Sequence, residues 1–354
     1  MKRRPTMQDV ADRAKVSKSA VSLAYNDPRK LSGATLENIL AAAAALGYSQ
    51  DPAARMLRRR RTDSLGLLLP QQLDRVLENP YYTLFMQGIG QVCQREGFTL
   101  LLAPPLRGSM LRAIPYAAVD GFIVCGLEFD RGEVTALQQR GVPFVLVDSE
   151  DHVGVSSVDI DDGAAMEEMV DYLVGLGHRR FTFVAFETDA EGGRETWRGA
   201  VRQRLDGAAR GLAKVGIDLS DDGVEIVEAP NTRGGGASAF RRAWGASPRP
   251  TAVVAFSDIL AVGVLDGARE AGVSVPGQLS ISGFDDLIEA GWTRPALTTV
   301  RQPIVSKGRL AAEYLVEAIA ASEGASVEAH RRRLNTALLI RDSTGPASNP
   351  LPAS

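Results

Sequence analysis

The stretch RMLRRRRTDSLGLLLP, residues 55–70, divides the chain into two parts of different character. Arg58–Arg61 form a run of four positive charges, and the apolar segment SLGLLLP begins at Ser64. Four like charges in a row are usually a solvated loop, whereas a continuous apolar run suits a strand buried on both faces. The stretch therefore predicts a boundary between a basic module that contacts nucleic acid and a globular module that binds a ligand.

Charge is distributed unequally on the two sides of this boundary. The chain has 354 residues and a net charge of −3. Residues 1–61 contain 13 Lys and Arg against five Asp and Glu, and the remaining residues contain 27 against 38. A basic segment on an acidic chain predicts contact with an anion.

Several protein classes are disfavoured by composition. Two cysteines, Cys93 and Cys125, make no disulfide framework and fit a reducing cytoplasm. The basic N-terminus is not followed by the apolar region of a signal peptide, and no apolar run reaches the ~18 residues of a membrane span. The sequence predicts a cytoplasmic protein with no membrane partner.

Enzymatic motifs are also missing from the sequence. His152, His178 and His330 do not have the spacing of metal ligands, and His178 is interpreted as a helix-end residue. There is no G-x-S-x-G or G-x-x-x-x-G-K-[ST] motif, and the glycine-rich RGGGAS is interpreted as a surface turn. We therefore predict no catalysis, no metal and no cofactor.

Residues 1–50 show three short helical patterns. Thr6 and Asp9 have the spacing of a capping box before MQDVADRA, and Ser17 can cap a second helix, KSAVSLAYN. A third pattern, ATLENILAAAAALGY, ends at Gly47. A tight turn between the first two helices predicts a helix-turn-helix, although a different small helical bundle has the same pattern.

Residues 51–61 are predicted to be a hinge. Pro52 suits the first position of a helix over about 52–58, which is too short to be stable alone and is expected to order on DNA. Leu57 either inserts between base steps of a minor groove or packs on a neighbouring module.

Beyond residue 62 the pattern alternates between strand and helix. The segments SLGLLLP, FTLLLA, DGFIVCG and VPFVLVD predict strands of a first lobe, and RFTFVAF, GVEIVEA, TAVVAF and LSISGFD predict strands of a second. Helices are expected near 133–140, 162–176, 198–214, 236–245, 258–271 and 304–322. This alternation predicts an α/β core with doubly wound parallel sheets in two lobes.

The N-terminal segment MQDVADRAKVSKSAVSLAYN…LGYSQDPAARML resembles the DNA-binding headpiece of the LacI/GalR family of bacterial repressors. The resemblance implies a homodimer that binds a pseudo-palindromic operator in double-stranded DNA. Three departures are Lys15, where the family usually has Gly, Leu23, where an Arg often reads bases, and Gln50–Asp51, where the family has Pro-Asn. The DNA-binding residues implied are Thr6, Lys18, Ser19, Ser22, Leu23, Asn26, Ala54, Arg55, Leu57 and Arg58.

The rest of the chain is similar to the periplasmic-binding-protein-like core of the same family, along DGFIV, GVPFVLVD, LGHRRFTFVAF, TAVVAFSDILAVGVLDGAREAGVSVPGQLSISGFDD and PALTTVRQP. The resemblance implies an effector and dimerisation core over 62–342. Its first lobe is expected at about 62–157 plus 301–325, and its second at about 158–296 plus 327–342. The segment PPLRGSMLRAIPYAA is shorter than the family's helix at this place, and residues 343–354 are expected to be a disordered tail.

Ligands of open α/β sheets bind at the carboxyl ends of the strands. Carboxylates, arginines and aromatic side chains there suit a sugar or a purine. The effector-binding residues implied are Tyr81, Tyr82, Asp148, Arg198, Arg204, Ser257, Asp258 and Asp285. Five of them have other interpretations. Asp148 and Asp258 are placed to cap helices, Arg204 to pair with a helix carboxylate, and Tyr81 and Tyr82 to be ordinary half-buried aromatic residues.

The sequence thus predicts a transcription repressor controlled by a small-molecule effector, most commonly a sugar in the resembling family. Two alternatives remain open at this point. A regulator of this kind is able to respond to a protein partner instead of a metabolite, and the core alone would suit a solute-binding protein.

Overall fold

A computed structural model describes residues 5–49, 56, 61–126, 132–149, 153–188, 193–321 and 328–348. The chain divides into two compact units, residues 1–62 and residues 63–354. The predicted hinge helix over 52–58 lies outside the described residues, with the exception of Met56.

The first unit contains the three predicted helices, α1 (Met7–Ala14), α2 (Lys18–Asn26) and α3 (Gly33–Leu46). The Thr6 hydroxyl accepts a hydrogen bond from the Asp9 amide at 3.3 Å, and the Thr6 amide donates to the Asp9 carboxylate at 2.6 Å. These bonds are the predicted capping box, and the helix-turn-helix fold is confirmed. The helices enclose a small core of Val10, Ala11, Ala14, Val21, Ala24, Ile39, Ala42 and Ala43.

The turn between α1 and α2 depends on Lys15, which has a left-handed backbone with φ of 55°. A side chain at this φ costs roughly 1 kcal/mol, and glycine avoids this cost. This geometry explains why a glycine is the usual residue in the resembling family. Lys15 supports the same turn at some expense in stability.

The strands of the second unit are β1 (Ser64–Leu68), β2 (Thr99–Ala103), β3 (Gly121–Cys125), β4 (Phe144–Val147), β5 (Ser156–Ile160), β6 (Phe181–Phe186), β7 (Val224–Ala229), β8 (Ala252–Ala255), β9 (Ser280–Ser282), β10 (Thr299–Arg301), β11 (Arg331–Leu334) and β12 (Ala337–Leu339). They form two parallel sheets, of order β11-β5-β4-β3-β1-β2 and β7-β6-β8-β9, and a small antiparallel sheet of β10 and β12. We call the parts built on the two parallel sheets the first lobe and the second lobe.

Helices cover both faces of the sheets, as expected for a doubly wound fold. The helices of this unit are α4 (Leu73–Glu78), α5 (Pro80–Glu96), α6 (Met110–Ala113), α7 (Glu133–Arg140), α8 (Asp162–Gly175), α9 (Gly199–Ala213), α10 (Arg233–Gly245), α11 (Asp258–Glu270), α12 (Ile288–Trp292) and α13 (Ile304–Ala321). None of the helices in the described part of the chain has the length and apolar character needed to cross a bilayer.

The boundary between the lobes differs from the expected one. We assigned 158–296 and 327–342 to the second lobe, but β5 continues to Ile160 and pairs with β4, and β11 pairs with β5. Both strands therefore extend the first sheet. Three exposed arginines make β11 unlike a buried strand in sequence, and charged side chains of this kind are typical of a sheet edge.

The RGGGAS segment is the beginning of α10, not the surface turn that we expected. A Cβ atom on Gly236 would lie 2.0 Å from the Leu260 carbonyl oxygen, and one on Gly263 would lie 2.0 Å from the Arg233 carbonyl oxygen. The glycines therefore allow α10 and α11 to pack with their backbones in contact.

The tail is not disordered over the whole of 343–354, because residues 343–348 pack on the second lobe. The Ser343 carbonyl accepts from the Ile281 amide at 2.9 Å, and the Ala347 amide donates to the Leu176 carbonyl at 2.9 Å.

His178 is not only a helix-end residue, because it joins three segments of the second lobe. It is buried, with Nε2 3.0 Å from the Gly345 carbonyl oxygen and Nδ1 2.9 Å from the Thr251 hydroxyl.

Candidate functional site

The outer surface of α2 contains several of the predicted DNA-binding side chains. Lys18 and Ser19 are exposed, and Ser22 and Leu23 are partly exposed. Asn26 donates from its side-chain amide to the Ser22 carbonyl at 2.7 Å, which ties it to the same helix face. The hydroxyl of Thr6 belongs to the capping box and donates to Asp9 at 2.7 Å. The predicted Ala54, Arg55, Leu57 and Arg58 lie outside the described residues.

A second candidate site is the cleft between the two lobes of the second unit. Its empty space is about 1340 Å³, including the part that is open to solvent. The walls include seven of the eight predicted effector residues, namely Tyr81, Tyr82, Asp148, Arg198, Arg204, Ser257 and Asp285. The carboxyl ends of β4 and β9 bring Asp148 and Asp285 to this cleft, as the topology predicts.

Asp258 is the exception, because it is fully buried behind the cleft. Its Oδ1 accepts from the Thr299 hydroxyl at 2.6 Å, and its Oδ2 accepts from the Leu287 amide at 2.8 Å. It therefore holds two neighbouring segments together and does not line the cavity. Burial, with the nearby charge of Asp285, raises the pKa of Asp258 to about 8.

Arg204 combines the two interpretations that the sequence left open. Its guanidinium pairs with Asp162, the first residue of α8, at 2.8 Å, and also donates to the Phe256 carbonyl. The guanidinium carbon lies 3.7 Å from the centre of the Phe284 ring. Arg204 is thus a buried, rigidly held cation that also forms part of the cleft wall.

Arg198 and Ser257 also belong to the wall of the second lobe. Arg198 donates to the Trp197 carbonyl at 2.9 Å, and the Ser257 hydroxyl donates to the Asn231 side-chain oxygen at 2.6 Å. Asn231 also lines the cleft, and sequence reasoning did not select it.

Asp148 does not cap a helix but binds a buried lysine. Lys307 donates to Asp148 Oδ1 at 2.6 Å and to Oδ2 at 2.7 Å, and the Tyr81 hydroxyl donates to Oδ2 at 2.7 Å. Burial, together with the adjacent Asp148 charge, raises the pKa of Tyr81 well above its usual value. The Tyr81 and Tyr82 rings meet edge to face, with centroids 5.4 Å apart.

Asp285 lies on the opposite wall and is held by Gln302, whose side-chain amide donates to Oδ1 at 2.5 Å. A second, longer hydrogen bond of 3.4 Å comes from the Asp258 amide. Burial raises the pKa of Asp285 to about 6, although the Arg204 charge opposes this shift.

Lys307 and Gln302 are the main residues that sequence reasoning missed. A signal for Lys307 was present, because it shares a helix face with Ile304, Ala311 and Leu315, which are all buried. The turn at 105–110 was also missed as a cleft wall. Pro105, Gly108 and Met110 line the cavity there.

Within the described ranges, no group of three or more His, Cys, Asp or Glu side chains is arranged to hold a metal ion. The chemistry that the cleft offers is hydrogen bonding by charged groups, with aromatic surface beside them.

Comparison with known proteins gives matches in both units. Residues 6–51 match the family of bacterial regulatory proteins, lacI family, and residues 170–344 match a periplasmic binding protein-like domain. An HTH-type transcriptional regulator of Mycobacterium tuberculosis, Rv3575c, is 36% identical over 89% of this chain and 91% of its own length. The regulator CelR of Thermobifida fusca is 32% identical over 97% of this chain and 99% of its own length. The solved structure of a CelR–cellobiose complex has a TM-score of 0.69 and 29% identity, covering 96% of this chain and all of the other.

Proposed function

Because the chain belongs to the lacI family of bacterial regulatory proteins, we propose that it is a transcription repressor whose operator affinity is controlled by a sugar. The sugar binds in the cleft between the lobes, and the helix-turn-helix unit binds the operator. The observation that carries the proposal is the cleft itself, where Asp148, Asp285 and Arg204 converge with Tyr81 and Tyr82.

Charge in the cleft favours a neutral ligand over a phosphorylated one. Its lining includes four acidic residues, Glu133, Asp148, Glu187 and Asp285, and two arginines, Arg198 and Arg204. Arg204 is already paired with Asp162, and Asp148 with Lys307, which leaves three acidic residues against Arg198. An excess of carboxylates repels phosphate but accepts hydrogen bonds from sugar hydroxyls, and the tyrosine rings supply area for a sugar face. The CelR–cellobiose complex shows a sugar in a relative of this chain.

The DNA part of the proposal follows from symmetry and charge. A homodimer presents two copies of α2, so its operator is a pseudo-palindrome with one half-site for each copy. Such a regulator works in the cytoplasm, where it meets the bacterial chromosome, and it releases its sugar unchanged. Closure of the two lobes on the sugar changes the operator affinity through residues 51–61, which join the units.

The salt dependence of operator binding tests the basic linker. Replacing Arg58–Arg61 with Gln should flatten the plot of log affinity against log salt, because each lost phosphate contact removes about 0.9 from the slope. Sequence preference should change little, since phosphate contacts carry no base information. An unaltered slope in the variant, measured by fluorescence anisotropy, would show that these arginines do not contact DNA.

The sugar is tested by thermal unfolding of the purified protein against sugars, sugar phosphates, nucleosides and purines. A ligand at 100 times its Kd adds about 2.7 kcal/mol, or several degrees in Tm. We expect a sugar to stabilise the wild type and the Glu228→Gln control, whose side chain is exposed on β7, but not Asp285→Asn. A blank for the whole panel, with operator binding intact, would contradict sugar control and favour a protein partner.

A further inference from the structure

Among the lysines that the structure describes, Lys307 alone is fully buried, with none of its surface exposed. Burying an ammonium group is costly unless it is paired and fully hydrogen-bonded. Neither the fold nor the proposed sugar contacts require a lysine at this place, since the other buried residues on this face of α13 are apolar or glycine. The charge therefore calls for a functional explanation.

All three hydrogen bonds of the Lys307 ammonium go to residues of the cleft. Two go to the Asp148 carboxylate at 2.6 and 2.7 Å, and the third goes to the Gln302 side-chain oxygen at 2.5 Å. The amide nitrogen of Gln302 then donates to Asp285 at 2.5 Å. A continuous relay, Asp148–Lys307–Gln302–Asp285, thus runs from the first lobe to the second.

Close helix packing places Lys307 at this point. A Cβ atom on Gly88 of α5 would lie 2.0 Å from the Val305 carbonyl oxygen, and one on Gly308 would lie 2.1 Å from the Phe85 carbonyl oxygen. The two glycines allow α13 to contact α5 along its backbone. Tyr81 at the start of α5 and Lys307 on α13 therefore reach the same carboxylate.

The two carboxylates at the ends of the relay have strained backbones. Asp148 has φ of 49° and Asp285 has φ of 135°, both in the region that disfavours side chains. Such conformations are unfavourable and persist only where surrounding contacts enforce them. The relay supplies these contacts on both walls of the cleft.

We propose that Lys307 is a positioning residue, which holds Asp148 directly and Asp285 through Gln302 in the geometry that accepts the effector. The effect on effector binding rests on the proposed function, whereas the contacts of Lys307 exist in the protein without ligand. The contacts and the effect on binding are tested separately.

The first test is a double-mutant cycle on thermal stability, made with Lys307→Met, Asp148→Asn and the double variant. Each single variant leaves one buried charge without its partner and should lower Tm by roughly 10 °C. The double variant should recover most of this loss, since both charges are then gone. The control is Lys214→Met, whose exposed ion pairs with Glu167 and Asp171 should affect Tm by less than about 2 °C.

The second test compares sugar affinity in the double variant with that in Asp148→Asn, because both lack the Asp148 carboxylate and only the double variant lacks Lys307. Without the Lys307 hydrogen bond, Gln302 holds Asp285 less firmly. Calorimetry with the sugar that stabilises the wild type most should give a Kd about tenfold weaker for the double variant than for Asp148→Asn, despite the recovered Tm. A Lys307 with only a structural role would leave the two Kd values equal.

Additive losses in the cycle would overturn the pairing of Lys307 with Asp148, and equal Kd values in the double variant and in Asp148→Asn would overturn the positioning role. If no sugar in the panel stabilises the wild type, the proposed function fails and the role in effector binding fails with it. The stability cycle would still decide whether Lys307 acts through Asp148.

Discussion

The two walls of the cleft hold their aspartates and their buried cations in different ways. Each presents an aspartate after a strand end, and each contains a buried ion pair. On the first lobe, the cleft aspartate itself, Asp148, is the partner of the buried cation. On the second lobe, Arg204 pairs with Asp162, and the cleft aspartate Asp285 lies beside another carboxyl group, that of Asp258.

On the second lobe the cleft aspartate itself has a raised pKa, whereas on the first lobe the carboxyl group with a raised pKa, that of Asp159 at about 6, does not line the cleft. The raised pKa values of Asp285, about 6, and Asp258, about 8, place the titration of the second wall near physiological pH. Sugar hydroxyls donate to an ionised carboxylate and accept from a protonated one. The second wall is therefore able to change its hydrogen-bonding character where the first wall is held by Lys307.

The largest expected effect is on the ion pair of the second wall. Arg204→Met leaves Asp162 buried without its partner and should lower the free energy of unfolding by about 3–5 kcal/mol. Arg210→Met, on the same helix but with an exposed pair to Glu167, should cost less than about 1 kcal/mol. Urea unfolding of both variants measures the difference. Equal losses would mean that burial of the Arg204 pair is not what stabilises this wall.

An intermediate effect is expected on the pH dependence of stability. The folded chain keeps the Asp258 proton up to a pH of about 8, whereas the unfolded chain loses it near a pH of about 4, so stability falls as pH rises between these values. Lowering the pH from about 8 to about 6 should stabilise the wild type by about 2 kcal/mol more than Asp258→Asn, which has no carboxyl to titrate.

The measurement for this prediction is urea unfolding of the two proteins across that pH range. Parallel pH profiles for the wild type and Asp258→Asn would refute a raised pKa at this position. They would also remove the contrast between the two walls.

The smallest effect is expected from Tyr81, on the first wall. Tyr81→Phe removes one of the three hydrogen bonds to Asp148 and leaves both from Lys307, so the cost should be about 1 kcal/mol. Tyr116→Phe is the control, because its ring is 81% exposed. A loss for Tyr81→Phe as large as that of Arg204→Met would show that Lys307 alone does not hold Asp148.

Much of the fold was readable from the sequence because it depends on local patterns. The capping box at Thr6, the end of α3 at Gly47 and the strands from β1 to β9, with the exception of β5, follow from residue spacing and apolar runs. The segments that were missed or wrongly predicted are short or polar. The strands β5 and β11 contain serines, an aspartate and arginines, and residues 343–348 contain no periodic pattern at all.

The candidate cleft was only partly predictable, for a different reason. Strand ends identified Asp148 and Asp285, but Asp258, at the start of α11, points away from the cavity. The partner of Asp148 lies 159 residues further along the chain, at Lys307. No pattern in one segment reveals a hydrogen bond formed by packing two distant helices, α5 and α13.

The most direct test of sugar-controlled repression is operator binding by the wild type and Asp285→Asn, measured by fluorescence anisotropy with and without the stabilising sugar. Coupling between two sites commonly amounts to about 5–150-fold in affinity. We predict that saturating sugar changes the operator Kd of the wild type by at least about tenfold and leaves that of Asp285→Asn unchanged. An operator Kd that is the same with and without a sugar bound to the wild type would contradict the account.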